Sequence, residues 1–104
     1  MAKVTIHKVN IGITKVPVGA WIYLSHSEAC QITSGIAKAT IIKVAGLTGK
    51  PWAAIAAAAI VAQLAFIRSK NVTSGGKGVK LYFSFATGLI MSVERRGKGK
   101  SPCP

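Results

Sequence analysis

Acid and base chemistry needs carboxylates, histidines or thiols within reach of one another. This sequence supplies few: Glu28, Glu94, His7, His26, Cys30 and Cys103, with no Asp. The one local constellation is His26 and Cys30, four residues apart and so on one face of a helix, as in a Cys–His nucleophile pair. No third group is supplied to orient the histidine, so the pair reads as capping-turn polarity beside a structural cysteine. The run Ser74-Gly75-Gly76-Lys77-Gly78 offers backbone N–H groups beside a cation, as phosphate-cradling loops do. It leads into a strand pattern and lacks Ser or Thr after the lysine, whereas a P-loop opens a helix, so a flexible hairpin connector is the simpler expectation. Cys30 and Cys103 match no zinc spacing. A disulfide between them would tether the basic tail to the start of the first helix, closing a loop of roughly 70 residues for about 4 kcal/mol; two unrelated thiols are the alternative. The expectation is a non-enzymatic chain with no metal, no cofactor and no small-molecule substrate.

The elements that would position these groups follow from periodicity. Val4 and Ile6, then Val9, Ile11 and Ile13, alternate with polar residues but change parity near His7 and Lys8, which predicts a strand with a bulge there. Pro17 to Gly19 predicts a turn and Val18 to Leu24 a second strand. Ser25 followed by Glu28 is a capping-box pattern, so a helix should start near His26 and run to about Ala45, weakened at Gly35 and stopped by Gly46. Pro51 suits the first turn of a second helix, in which Trp52 to Ile67 holds only one polar residue, Gln63; Asn71 would supply a left-handed stop. Val79, Leu81, Phe83 and Phe85 then alternate with polar partners. After a turn at Thr87 and Gly88, Leu89, Met91 and Val93 alternate with Ile90, Ser92 and Glu94. The expected fold is α+β, a helical hairpin packed against β-hairpins from the N- and C-terminal segments in the order ββ-αα-ββ. Residues 1–94 form one compact domain and 95–104 a solvated, basic Gly/Pro-rich arm.

Charge and hydrophobicity narrow the function. Fourteen Lys and Arg against two acidic residues give a net charge of +12, which calls for an anionic partner. Half the residues are hydrophobic, too many for a disordered basic tail. The combination points first to an anionic lipid membrane. Trp52, Ile55, Ala58, Ile60, Leu64, Phe66 and Ile67 are the candidate insertion residues, and Trp21 and Trp52 the interfacial anchors. Lys38, Lys43, Lys50, Arg68, Lys70, Arg95, Arg96, Lys98 and Lys100 are the candidate lipid or other anion contacts. Sixteen residues from Trp52 to Ile67 rise about 24 Å, short of the roughly 30 Å of bilayer hydrocarbon. That segment is therefore expected to rest inside the domain, a state compatible with insertion after a membrane-triggered opening.

In its charge and apolar helix the chain resembles small bacteriocins, which implies a secreted antibacterial protein that perturbs membranes. No signal-peptide pattern is visible, because Lys3, Lys8 and Lys15 interrupt any apolar run, so the expectation is a mature or leaderless form. A second reading is a nucleic-acid-binding module, with Trp21, Tyr23 and Tyr82 stacking bases and the arm from Arg95 to Lys100 on phosphates; Phe83 and Phe85 are assigned to the core. A third is a structural or protein-binding subunit that self-associates through the apolar helix or a strand edge.

Overall fold

The computed structural model describes residues 2–104. It contains strands β1 (Lys3–Ile11) and β2 (Thr14–Leu24), helices α1 (His26–Ile32), α2 (Lys38–Val44), α3 (Ala53–Ala62) and α4 (Leu64–Asn71), and strands β3 (Val79–Ser84) and β4 (Ile90–Arg95). All neighbouring strands are antiparallel in one sheet of order β1-β2-β3-β4. The two terminal hairpins therefore join edge to edge through β2 and β3, and the fold is α+β with the helices between them in sequence.

Period-two alternation decides which face of the sheet is covered. Ala20, Ile22 and Leu24 of β2 pair with Phe83, Leu81 and Val79 of β3, and all six are buried. Ile22, Leu24, Val79, Leu81 and Phe83, with Ile90 and Val93 of β4, meet Ile32, Ile41, Leu47, Ile60 and Ile67 from the helical segment in one core. Among the described residues no helix covers the other face, which carries Trp21, Tyr23, Lys80 and Tyr82 at the intervening positions. The far half of the β1–β2 hairpin extends beyond the core, with His7 to Lys15 exposed, and gives the molecule a long axis of 47 Å.

Several sequence expectations are corrected, each by an identifiable cause. The first helix is broken: α1 ends at Ile32 and α2 begins at Lys38. Gly35 sits between them at φ +91°, and the hydroxyls of Thr33 and Ser34 donate back to Ala29 O (2.8 Å) and Gln31 O (2.6 Å), competing with continuation of the helix. The second helix bends by 73° around Gln63, and the bend lets Ile60 and Ile67 both be fully buried. The hairpin turn is at Gly12 and Ile13 rather than Pro17 to Gly19; Pro17 lies within β2 opposite Lys8, at the bulge, where the ladder is already interrupted. Asn71 is not a left-handed stop but a buried residue of α4. In β4 a register shift sets Ile90 inward and leaves Leu89 and Met91 exposed. The bulge at His7/Lys8, the Ser25–Glu28 capping box and the left-handed Gly46 stand as expected.

The Ser74–Gly78 connector is not flexible but tightly placed. Ser74 is buried; its hydroxyl donates to Asn71 O (2.7 Å) and accepts from the Gly78 N–H (3.2 Å). Gly78 (φ +87°) passes under the entry to α1, where a Cβ would lie 2.7 Å from Ser25 C and 2.8 Å from His26 N. Gly78→Ala is expected to destabilise by about 3 kcal/mol through backbone strain and overpacking. Gly76→Ala, also at positive φ but facing open space, should cost only about 1 kcal/mol. Urea midpoints of the two variants test the difference.

Candidate functional site

The helix α3 has no polar residue on either side. Ala53, Ala56, Ala57, Ala59 and Ile60 turn into the core, while Ala54, Ile55, Ala58, Val61 and Ala62 form a continuous outward stripe. A helix at a protein surface ordinarily puts charged or polar residues there, and an all-round apolar helix is ordinarily enclosed. After the bend, α4 continues the exposed apolar surface with Ala65 and Phe66, and Lys70 Nζ lies 5.3 Å from the Phe66 ring centre.

This arrangement divides the residues expected to insert. Ile55, Ala58 and Phe66 face outward, Leu64 is half-buried, and Ile60 and Ile67 belong to the core. Trp52 is half-buried and stacks on Phe83 at 5.6 Å and against Phe85 at 5.2 Å, so it holds the helical layer to the sheet. Trp21 lies on the open sheet face, and the two tryptophans therefore serve different surfaces. Ala54, Val61, Ala62, Leu89 and Met91 add exposed apolar area beyond the expected insertion residues. The uninterrupted apolar run was the available signal for the α3 members. Among the described residues no single helix is long and apolar enough to cross a membrane, although α3 and α4 together, bent as they are, have the length and composition.

The candidate anion contacts separate in the same way. Lys38 and Lys43 are exposed on α2 and Lys50 on the loop before α3. Arg68 is exposed on α4, its Nη1 3.4 Å from Thr33 Oγ1. Lys70, Arg95, Arg96 and Lys98 line one open, strongly cationic cavity of about 450 Å³, with Glu94 the carboxylate among them; Lys100 lies exposed beyond it. Arg95 donates to Thr73 Oγ1 at 3.0 Å and Arg96 to Leu24 O at 3.4 Å.

The C-terminal arm is tied down. Cys30 and Cys103 form a disulfide with Cα atoms 5.6 Å apart. Gly75 N–H donates to Gly99 O, Gly99 N–H to Thr73 O and Ser101 N–H to Val72 O, at 2.7–3.2 Å. Asn71 is the polar centre of this seam. Its Nδ2 donates to His26 O and approaches Cys30 Sγ, both at 3.2 Å, and its Oδ1 is 3.1 Å from His26 Nδ1. The sulfur of Cys30 is thus committed to a cross-link and His26 to Asn71, which removes the Cys–His nucleophile in the oxidised chain. The Gly75, Lys77 and Gly78 amides of the glycine run are likewise spent on Gly99 O, Ser74 O and Ser74 Oγ, so they do not converge on a phosphate. Among the described residues no group of three His, Cys, Asp or Glu side chains is placed to hold a metal ion.

No protein-family model matches the chain, and no curated protein or solved structure is significantly similar to it.

The disulfide spans a sequence separation of 73. Cys103→Ser should lower stability by about 4 kcal/mol if loss of the constraint on the unfolded chain dominates. Urea unfolding of the variant against the oxidised parent measures this.

Proposed function

We propose that this chain is a cationic membrane-binding protein, of antibacterial, bacteriocin-like type, that docks on anionic bilayers with the outer stripe of α3 and the adjoining Phe66. The observation that carries the proposal is the absence of any polar residue on the outward side of α3. Ten residues rise about 15 Å, which suits a helix lying in the plane of the interface better than one crossing it.

Magnitudes divide the work between the two forces. Ile55, Val61 and Phe66 are 56%, 39% and 49% exposed. At roughly 2 kcal/mol for burying a whole side chain of this kind, their exposed parts together contribute about 3 kcal/mol. A cation near an anionic lipid surface contributes about 1 kcal/mol. Lys50, Arg68 and Lys70, on the same segment as the stripe, therefore match the apolar term, and the rest of the +12 charge adds attraction at a distance. Binding should require anionic lipid, with the apolar stripe converting adsorption into perturbation of the bilayer. A peripheral mode is also consistent with Ile60 and Ile67 staying in the core, because the domain need not open to expose the surface it uses.

Dye release from vesicles is the direct test. The parent should release dye from anionic vesicles at about 0.15 M salt, where weak long-range attraction is screened, and spare neutral ones. Ala58 faces solvent, so Ala58→Asp leaves the core untouched and should reduce release at least tenfold by placing a carboxylate in the docking stripe. A folded Ala58→Asp protein that releases dye like the parent, or a parent equally active on neutral vesicles, would sink the proposal.

A further inference from the structure

The open face of the sheet is a second surface of different chemistry. Two adjacent rows run across the strands: Lys3, Tyr23, Lys80 and Glu94 in one, and Thr5, Trp21, Tyr82 and Ser92 in the next. Trp21 and Tyr82 are 4.9 Å apart between ring centres, and His7 meets the Tyr82 ring edge-on at 5.8 Å. Room for the Tyr82 phenol is made by Gly19, where any Cβ would collide with it. Cations cap the rings: Lys80 Nζ is 5.2 Å from the Trp21 ring centre and the Arg96 guanidinium 5.5 Å from that of Tyr23. Lys3, Thr5, Tyr23 and Arg96 also line a cavity of about 400 Å³ on this face.

We infer that this face binds single-stranded nucleic acid, with Trp21, Tyr23 and Tyr82 as base-stacking platforms and Lys3, Lys80 and Arg96 as phosphate contacts. Aromatic rings with cations set over and beside them match a ligand whose planar bases are joined by charged phosphates. Lipid headgroups offer the charge without the planes. A base stacking on Trp21 or Tyr23 displaces Lys80 or Arg96 from the ring, and the freed cation then reaches the neighbouring phosphate. Rows two residues apart along a strand are separated by about 7 Å, about twice the 3.4 Å rise per base in a duplex strand. The platforms therefore suit bases that have been drawn apart and do not suit paired, stacked ones. The surface is separate from the α3 stripe, so the inference stands independently of lipid docking.

The test is fluorescence anisotropy of labelled oligothymidylate of about 15 nucleotides against a duplex of equal length, at about 0.15 M salt, where charge alone binds weakly. The single strand should bind at least tenfold more tightly than the duplex. Trp21→Ala and Tyr82→Ala should each weaken it about tenfold at an unchanged salt slope, and Trp21→Phe should restore most of the loss. Arg96→Gln should instead flatten the salt dependence, since it removes a phosphate contact. Glu94→Gln, which deletes the carboxylate 3.9 Å from Lys80, should strengthen binding severalfold, a gain that misfolding cannot imitate. Equal affinity for strand and duplex, or Trp21→Ala and Tyr82→Ala proteins of native circular dichroism that bind like the parent, would overturn the inference and leave only unspecific charge. Vesicle leakage by Trp21→Ala should equal that of the parent; loss of leakage together with unchanged nucleic-acid binding would assign the face to lipid instead.

Discussion

The pairing of β2 with β3 controls the shape of everything between them. Leu24, the last residue of β2, lies opposite Val79, the first of β3, so the intervening helical segment must leave and return at one point on the sheet. The paired stretch is only six residues long, about 20 Å, whereas an uninterrupted helix of twenty residues would reach about 30 Å. A helical hairpin of that length would overhang the surface it has to cover. Breaks near Gly35 and at Gln63 shorten the layer to elements that fit, and Trp52, stacked on Phe83, fixes where the layer meets the sheet.

This constraint also explains what could be read from the chain and what could not. The buried face of β3 was legible because alternation has a period of two: Val79, Leu81 and Phe83 alternate with Lys80, Tyr82 and Ser84, and the apolar row is the buried one. The capping box was legible because Ser25 and Glu28 are local partners. The bend at Gln63 had no such sign, since neither Pro nor Gly marks it and its cause lies in the distant sheet. The parity of β4 was equally hidden, because Leu89, Ile90 and Met91 are all apolar and the register shift, with no local marker, decides which of them turns inward.

The candidate surfaces divide along the same line. Trp21, Tyr23 and Tyr82 share a face because of their strand positions, so their grouping follows from pattern and register. The α3 stripe could be suspected from composition but not located, since a helix of Ala, Ile and Val carries no polar residue to say which side looks outward. The cationic cavity joins Lys70 to Arg95, Arg96 and Lys98 only through the packing of α4 beside β4, a contact between elements remote in sequence. Asn71, whose residue type suits a helix stop, is the buried node at which His26, the disulfide and the C-terminal arm meet. Its role depends on groups thirty or more residues away in either direction.

The cross-link between Cys30 and Cys103 closes a covalent ring around α2, α3, α4, β3 and β4, and leaves β1 and β2 outside it. Tension therefore acts differently at the two ends of the chain. A pull on the N-terminus can peel β1 from β2 and then β2 from β3 by opening hydrogen bonds one after another. A pull on the C-terminus is arrested at Cys103 and transmitted directly to α1. The domain is thus a zipper at one end and a clasp at the other, and the projecting hairpin is the part that mechanical load removes first.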